Sequence, residues 1–193
     1  MADVLIVGDG PGGLSAGLFL AKNDMDVTVF GQNETFMHKA MLYNYLGIPQ
    51  ITGSEFQEIA RKQAEGFGCK ILDVEVTEIE KNDAGFAVST ADGNKHEAKY
   101  LILASGFEEG LVDKLELSRD SNNDDAVIAD RDGKIDIENL YVIGWLTRGQ
   151  RTQAIISAGE GAAAALSILS IEAGRDIHDF DVVKEDDDDD DDE

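Results

Sequence analysis

The run ADVLIVGDGPGGLSAG (Ala2–Gly17) constrains the fold more than any other stretch of the chain. ADVLIVG (2–8) is too short for a helix, almost wholly apolar and closed by glycine, the pattern of a buried strand. It runs directly into Gly8-Asp9-Gly10-Pro11-Gly12-Gly13, which fits GxGxxG at Gly8, Gly10 and Gly13. In that pattern the first glycine permits a tight turn, the second lets a pyrophosphate approach the backbone, and the third lets helix pack on strand. Leu14, Leu18 and Ala21 have helical spacing and predict a helix over 11–23. Its N-terminus would aim free N–H groups and the positive end of the helix dipole at a diphosphate. DVTVF (26–30) reads as a second strand. A lone glycine pattern is a weak signal, but here it follows a strand, opens a helix and starts a βαβ unit, the context that marks a dinucleotide site. The competing reading is a glycine turn without a ligand.

The rest of the chain extends this unit. Glu55 to Glu65 has the pattern of an amphipathic helix. Several strands are expected from Cys69 to Leu103, with ADGN (91–94) as a hairpin turn. YLILASG (Tyr100–Gly106) and ENLYVIG (Glu138–Gly144) are buried-strand patterns ending in glycine. AVIADRDGKIDI (126–137) predicts a hairpin around Asp132-Gly133, and Ile155 to Ala173 a long helix of small residues. Strand–helix–strand, then a β meander, then strand–helix predicts a three-layer α/β domain with a partly parallel sheet. The expected boundaries are one domain over 1–180 and an acidic, disordered tail over 181–193.

Charge narrows the possible partners. Forty acidic residues against sixteen basic ones give −24. Without the nine acids of Glu185–Glu193, 31 acids face 16 bases, so the body itself carries −15. Such a surface repels nucleic acid and anionic membrane. It suits a medium whose salt screens self-repulsion to a Debye length of about 3 Å at molar strength. A halophilic, archaeal cytoplasm is therefore expected, the competing reading being a mesophilic acidic protein. The aspartate run lacks the spaced ligands and glycine of a calcium loop. No basic leader precedes the first strand and no uninterrupted apolar run reaches 18 residues, so the reading is cytoplasmic, without membrane association.

Chemistry-bearing side chains are few. Cys69 is the single cysteine, so an internal disulfide, a CxxC pair and a zinc ribbon are all excluded. In GCKIL it reads as a buried structural thiol. His38, His96 and His178 are scattered and form no metal-ligand spacing, so no metal site is expected. Neither serine nor cysteine sits in a G-x-S-x-G elbow. No catalytic residue is assigned. An acid at the end of the second strand would hydrogen-bond an adenosine ribose. Here Phe30-Gly31 stands there, and the nearest following acid is Glu34, so that contact is displaced or missing.

The ordered set GDGPGGLSAG, YNYLGIP, ITGSEF, YLILASG and TQAIISAGEGAAAAL resembles the low-molecular-weight thioredoxin reductases, which belong to the two-dinucleotide-binding-domain flavoproteins. The resemblance runs from Ala2 to about Gly174. It implies an FAD-binding Rossmann-like domain and a homodimer. Residue by residue, it implies that Gly8, Gly10, Pro11, Gly12 and Gly13 hold the FAD pyrophosphate, with Gly31 and Glu34 at the ribose end. Asn44 matches the asparagine of an ENxPG-like stretch and inherits a flavin contact. Val76 joins the expected FAD contacts. Ala104-Ser105-Gly106 matches the family's ATG, Gly144-Trp145 its GD, and Gln153-Ala154 the RQA that lies against the flavin. His38 and Lys39 fall in a segment the family places near the flavin.

The departures are equally specific. In the family, the ATG segment leads into a whole NADPH domain with a second GxGxxG and the CxxC dithiol. Here SRDSNNDD (Ser118–Asp125) lies in a stretch of about twenty residues, Phe107 to Asp125, that crosses the same gap. Trp145 stands where the family has an aspartate toward the FAD ribitol, which exchanges an acceptor for a flat indole. Thr152 stands where the family has arginine, with Arg148 and Arg151 close by. Two readings follow. One is an FAD-dependent, thioredoxin reductase-like oxidoreductase without its own NADPH domain or dithiol, exchanging electrons with a separate protein or small carrier. The other is a non-catalytic flavin- or nucleotide-binding sensor or assembly subunit.

Overall fold

A computed structural model describes residues 2–106, 110–113 and 115–183. The acidic run and part of the Phe107–Asp125 crossing lie outside these residues. The elements are β1 (Ala2–Val7), α1 (Pro11–Lys22), β2 (Val27–Gly31), β3 (Met41–Leu42), β4 (Ile51–Thr52), α2 (Gly53–Gly66), β5 (Lys70–Asp73), β6 (Val76–Asn82), β7 (Gly85–Thr90) and β8 (Lys95–Leu103). They continue with α3 (Gly110–Asp113), β9 (Arg119–Asp120), β10 (Ala126–Val127), β11 (Leu140–Val142), α4 (Trp145–Arg148) and α5 (Ala154–Ala173).

The parallel strands run in the order β5-β2-β1-β8-β11. β8 is long enough to serve two neighbours along one edge. Its first residues pair antiparallel with β7 (Phe86↔Ala98 to Ser89↔Lys95), and β7 pairs with β6 as the meander. Its last residues, Leu101 to Leu103, pair parallel with β11. Alternation then sorts the apolar run of β1 to both faces. Val4 and Ile6 join the cluster beneath the helices with Ala16, Leu20, Ala164 and Ile168. Leu5 and Val7 join the meander side with Phe86, Val88 and Leu140. A strand covered on both faces has no polar side to keep, which is why β1 reads as continuously apolar. The three layers expected from the sequence are present.

α1 and α5 pack closely because their contact is made of glycine. A Cβ on Gly161 would stand 2.1 Å from the Gly12 carbonyl oxygen. α5 is long and apolar enough, by length and composition alone, to cross a membrane. It carries Glu160, and its buried residues Gly161, Ala164, Ala165, Ile168 and Leu169 lie inside the molecule. α2 begins at Thr52, whose hydroxyl accepts from the Glu55 N–H at 3.2 Å, an ordinary N-cap.

The hairpin expected over 126–137 forms differently. β10 pairs with β9, not across Asp132-Gly133. The stretch Ser118–Asp125 is thus itself half a hairpin, turned by Asp124 and Asp125 at φ 49° and 55°, where a short polar side chain tolerates the left-handed region. The Asp130–Lys134 turn is present, with the Gly133 N–H on the Asp130 carbonyl, but its outgoing arm bridges Tyr141 of β11.

Candidate dinucleotide site

β1, β8 and β11 are parallel neighbours, so their C-terminal ends lie side by side at one end of the sheet, the end at which open parallel sheets bind ligands. Gly8 leaves β1 at φ +111°, and a Cβ there would lie 2.2 Å from the Ala104 carbonyl oxygen and 2.9 Å from the Ser105 nitrogen. The first glycine is therefore required by the neighbouring strand end, Ala104-Ser105-Gly106. Gly13 must be glycine because a Cβ would lie 1.8 Å from the Gly8 carbonyl oxygen. A Cβ on Gly12 would stand 3.2 Å from both Ile143 Cδ1 and the Ser157 carbonyl oxygen, so the loop lies against the end of the last strand and α5. Gly10 is different: a Cβ there would meet nothing within 4 Å. It caps α1, and Pro11 begins the helix, where a missing N–H costs nothing. An open cradle over a helix N-terminus fits a diphosphate group.

The other expected residues arrange around this loop. Gly144 has φ +75° and opens α4 at Trp145. Its N–H donates to Glu160 Oε2 at 2.8 Å, and Glu160 also pairs with the Arg148 guanidinium. So a carboxylate stands beside the position where aspartate gives way to Trp145, supplied from α5. Asn44 Nδ2 donates to Gln153 Oε1 at 3.0 Å. Two residues 109 apart in sequence are thus joined at the start of α5, which begins with Ala154. Tyr43 and Leu46 beside them are exposed, at 68% and 89%. His38 lies in a short 3-10 helix, its Nδ1 3.1 Å from the Ser54 hydroxyl. Val76, by contrast, is buried on the meander side of the sheet, and Glu34 is exposed beyond β2.

The end of β2 adjoins residues that the sequence reading missed. Asp9 is only 4% exposed. Its Oδ2 accepts from Arg61 at 2.5 Å and from the Asn33 N–H at 3.2 Å. Arg61 also bridges to Asp73 at 2.6 Å. Gln57, fully buried, donates its amide to the Asp9 carbonyl, while its Oε1 is a buried acceptor with no partner among the described residues. Gln57 and Arg61 share one face of α2 at i, i+4 spacing, but no pattern links that pair to positions 9 and 73. The only hint was an acid inside a glycine loop and a glutamine on the inner stripe of an amphipathic helix.

Cys69 is buried against α1, and a Cβ on Gly17 would come within 2.9 Å of its sulfur. Burial, with Glu65 nearby, pushes its thiol up to about 12. It therefore stays protonated at neutral pH and cannot act as a thiolate nucleophile. His96 packs edge-on to Phe30, with ring centroids 5.0 Å apart. Among the described residues, no three His, Cys, Asp or Glu side chains gather where they could hold a metal ion.

Residues 1–144, which include the glycine loop and all seven strands of the main sheet, match the pyridine nucleotide-disulphide oxidoreductase family. The chain belongs to that family. Among curated relatives it is similar to the thioredoxin reductase of Treponema pallidum, 37% identical over 55% of this chain and 36% of the reductase. It is also similar to ferredoxin–NADP reductase 1 of Bacillus pumilus, 28% identical over 84% of this chain and 46% of that enzyme. The chain thus spans about a third to a half of the length of these relatives. The fold matches the atypical thioredoxin reductase TRi of Desulfovibrio vulgaris Hildenborough at TM-score 0.77 and 20% identity, over 90% of this chain and 99% of that one. It matches the Streptococcus pyogenes thioredoxin reductase at TM-score 0.82 and 16% identity, over 90% and 99%. At these identities the structural matches speak for the fold alone.

Proposed function

We propose that this chain is the FAD-holding unit of a thioredoxin reductase-like oxidoreductase that exchanges electrons with a separate protein or small carrier. The observation that carries the reading is the contrast inside the loop. Gly8 and Gly13 are glycine because protein backbone crowds them, whereas Gly10 is glycine beside open space. That is what a pyrophosphate needs and what a bare structural turn does not. In this reading Gly8, Gly10, Pro11, Gly12 and Gly13 hold the diphosphate, and Asn44, Gln153 and Ala154 flank the ring. Ala104–Gly106 and Gly144-Trp145 line the crevice between them. Bound FAD would supply the electron-transfer chemistry, and the protein orients it and excludes water.

The chain's own residues limit the reaction. Direct dithiol exchange needs two cysteines, and Cys69 is single and buried. About twenty residues separate Gly106 from β10, and the chain then continues to the strand β11 that pairs with β8. It carries no second glycine fingerprint. Hydride transfer demands aligned contact at roughly 3–3.5 Å, so NADPH without a seat of its own reduces the flavin slowly. The chromophore released on denaturing the purified protein should be FAD. Visible spectra taken before and after anaerobic reduction, with NADH and NADPH mixed in separately by stopped flow, test the rest. Failure of the apoprotein to take up FAD overturns the reading, and fast, saturable reduction by either nucleotide overturns the separate donor.

A second reading, a non-catalytic flavin- or nucleotide-binding sensor or subunit, is favoured by Trp145 and by the inert Cys69. A flavin that is bound but neither reduced nor reoxidised by any carrier would select it. The unit covers residues 1–180, and a homodimer and a cytoplasmic setting belong to the same proposal.

A further inference from the structure

We infer that Asp9, from within the glycine loop, is the carboxylate that holds the adenosine ribose, in place of the acid missing at the end of β2. This deepens the FAD reading and rests on it.

The argument begins with exclusion. A dinucleotide fold ordinarily carries an acid at the end of its second strand to accept from the ribose hydroxyls. Here that position is Gly31, and a Cβ on it would lie 2.1 Å from Asp9 Cγ and 2.4 Å from Asp9 Oδ1. Two side chains cannot share this space. A carboxylate at position 9 forces glycine at 31, and a side chain at 31 forces a small residue at 9. The absence at β2 and the acid in the loop are therefore one exchange, which delivers a carboxylate to the same spot from the neighbouring strand.

The second strand of evidence is how Asp9 is held. A buried, unpaired carboxylate is costly, and this one is clamped on one side only. Oδ2 takes both donors, the Arg61 guanidinium and the Asn33 N–H. Oδ1 accepts no hydrogen bond among the described residues. Arg61 is itself fixed by its second nitrogen on Asp73, and Gln57 pins the Asp9 carbonyl. The arrangement fixes one oxygen and leaves the other as an oriented acceptor beside the diphosphate cradle. A ribose diol offers two donors and suits such an acceptor. A 2′-phosphate would bring negative charge against it.

The test titrates apoprotein with FAD, FMN, ADP and adenosine 2′,5′-bisphosphate, reading flavin fluorescence directly or by displacement. In Asp9→Asn the amide oxygen must stay on Arg61 and the Asn33 N–H, so the NH₂ replaces Oδ1 and donates where it should accept. FAD and ADP should weaken together by about ten- to a hundredfold, the range of one hydrogen bond to a charged group. FMN, which lacks the adenosine, should be unchanged. Adenosine 2′,5′-bisphosphate should compete poorly against the wild type and better against the variant, a reversal that a merely structural role would not produce. Arg61→Lys keeps the charge but loses the bridge to Asp73, and should show a smaller loss confined to FAD and ADP. It replaces the first variant if that one does not fold. Unchanged FAD and ADP affinity, or equal losses for FMN and ADP, overturns the inference. If FAD fails to bind the wild type while ADP binds and depends on Asp9, the ribose site stands and the FAD reading falls. Binding of neither overturns both.

Discussion

Gly10 and Gly13 sit in the same loop and are glycine for opposite reasons. A Cβ on Gly13 would overlap the Gly8 carbonyl oxygen at 1.8 Å, whereas one on Gly10 meets nothing within 4 Å. Gly13→Val should therefore cost the fold several kcal/mol, as overpacking against backbone does at or beyond the ~1–3 kcal/mol usual for core strain. Gly10→Val should leave the thermal midpoint nearly unchanged and abolish FAD uptake. Melting curves and an FAD titration of both variants check this, and a Gly10→Val protein that still binds FAD normally would refute the cradle. The loop was legible in sequence because its signal is local: a strand period, three glycines at fixed spacing and a helix period. The partners of Asp9 were not. Arg61 lies 52 residues away, on a helix whose own pattern records only which face is buried, so the ion pair has no period to betray it. Trp145 in place of aspartate could be read as a loss, but the carboxylate of Glu160 reaching Gly144 from α5 could not.

At the scale of elements, strands and helices were read well where their own local pattern is strong, however distant their partners in sequence. The parallel strands and α1 follow from apolar runs and glycine punctuation. The hairpin over 126–137 was misplaced because the Asp-Gly turn signal at Asp132-Gly133 is genuine yet local. It forms the turn, while pairing is decided by which strand lies alongside, β9 for β10 and β11 for Lys134. The α1–α5 contact shows the same conflict between local and tertiary preference. Gly161 lies inside α5, where replacing glycine by alanine ordinarily stabilises a helix by about 1 kcal/mol. Here the new methyl would press on the Gly12 carbonyl oxygen at 2.1 Å and the Ala16 nitrogen at 3.0 Å. Backbone cannot rotate away as a side chain can, so the clash wins. Gly161→Ala should lower stability by about 1–3 kcal/mol, while the exposed Gly159→Ala, open for 4 Å around, should raise it. Denaturant midpoints of the two variants should move in opposite directions, and a shift of both upward would show that the helices can separate without cost.

For the whole molecule, charge decides how stability depends on the medium. Lys22, Lys62, Lys70, Lys95 and Lys99 are each already within 2.7 Å of an acid. The remaining acids of a body at −15 then face chiefly one another. Salt weakens both kinds of interaction, so the sign depends on which is more numerous. Exposed ion pairs contribute roughly 0–1 kcal/mol each. Two like charges 10 Å apart in water repel by only about 0.4 kcal/mol, but among so many uncompensated acids such pairs far outnumber the attractive contacts. At 10 mM salt the Debye length is about 30 Å and most pairs count; at 1 M it is about 3 Å and almost none does. The unfolded chain spreads its charges apart and gains less from screening. The unfolding midpoint should therefore rise with KCl, steeply at first and then level off as screening saturates. Salt acting by exclusion from the surface would instead give a rise that continues linearly. Removing Glu185–Glu193 should leave the shape of the curve intact, since the excess of acids in the body remains. A midpoint that is flat from 10 mM upward would mean that paired charges, few as they are, balance the acidic surface, and the inference of a salt-adapted protein would fall with it.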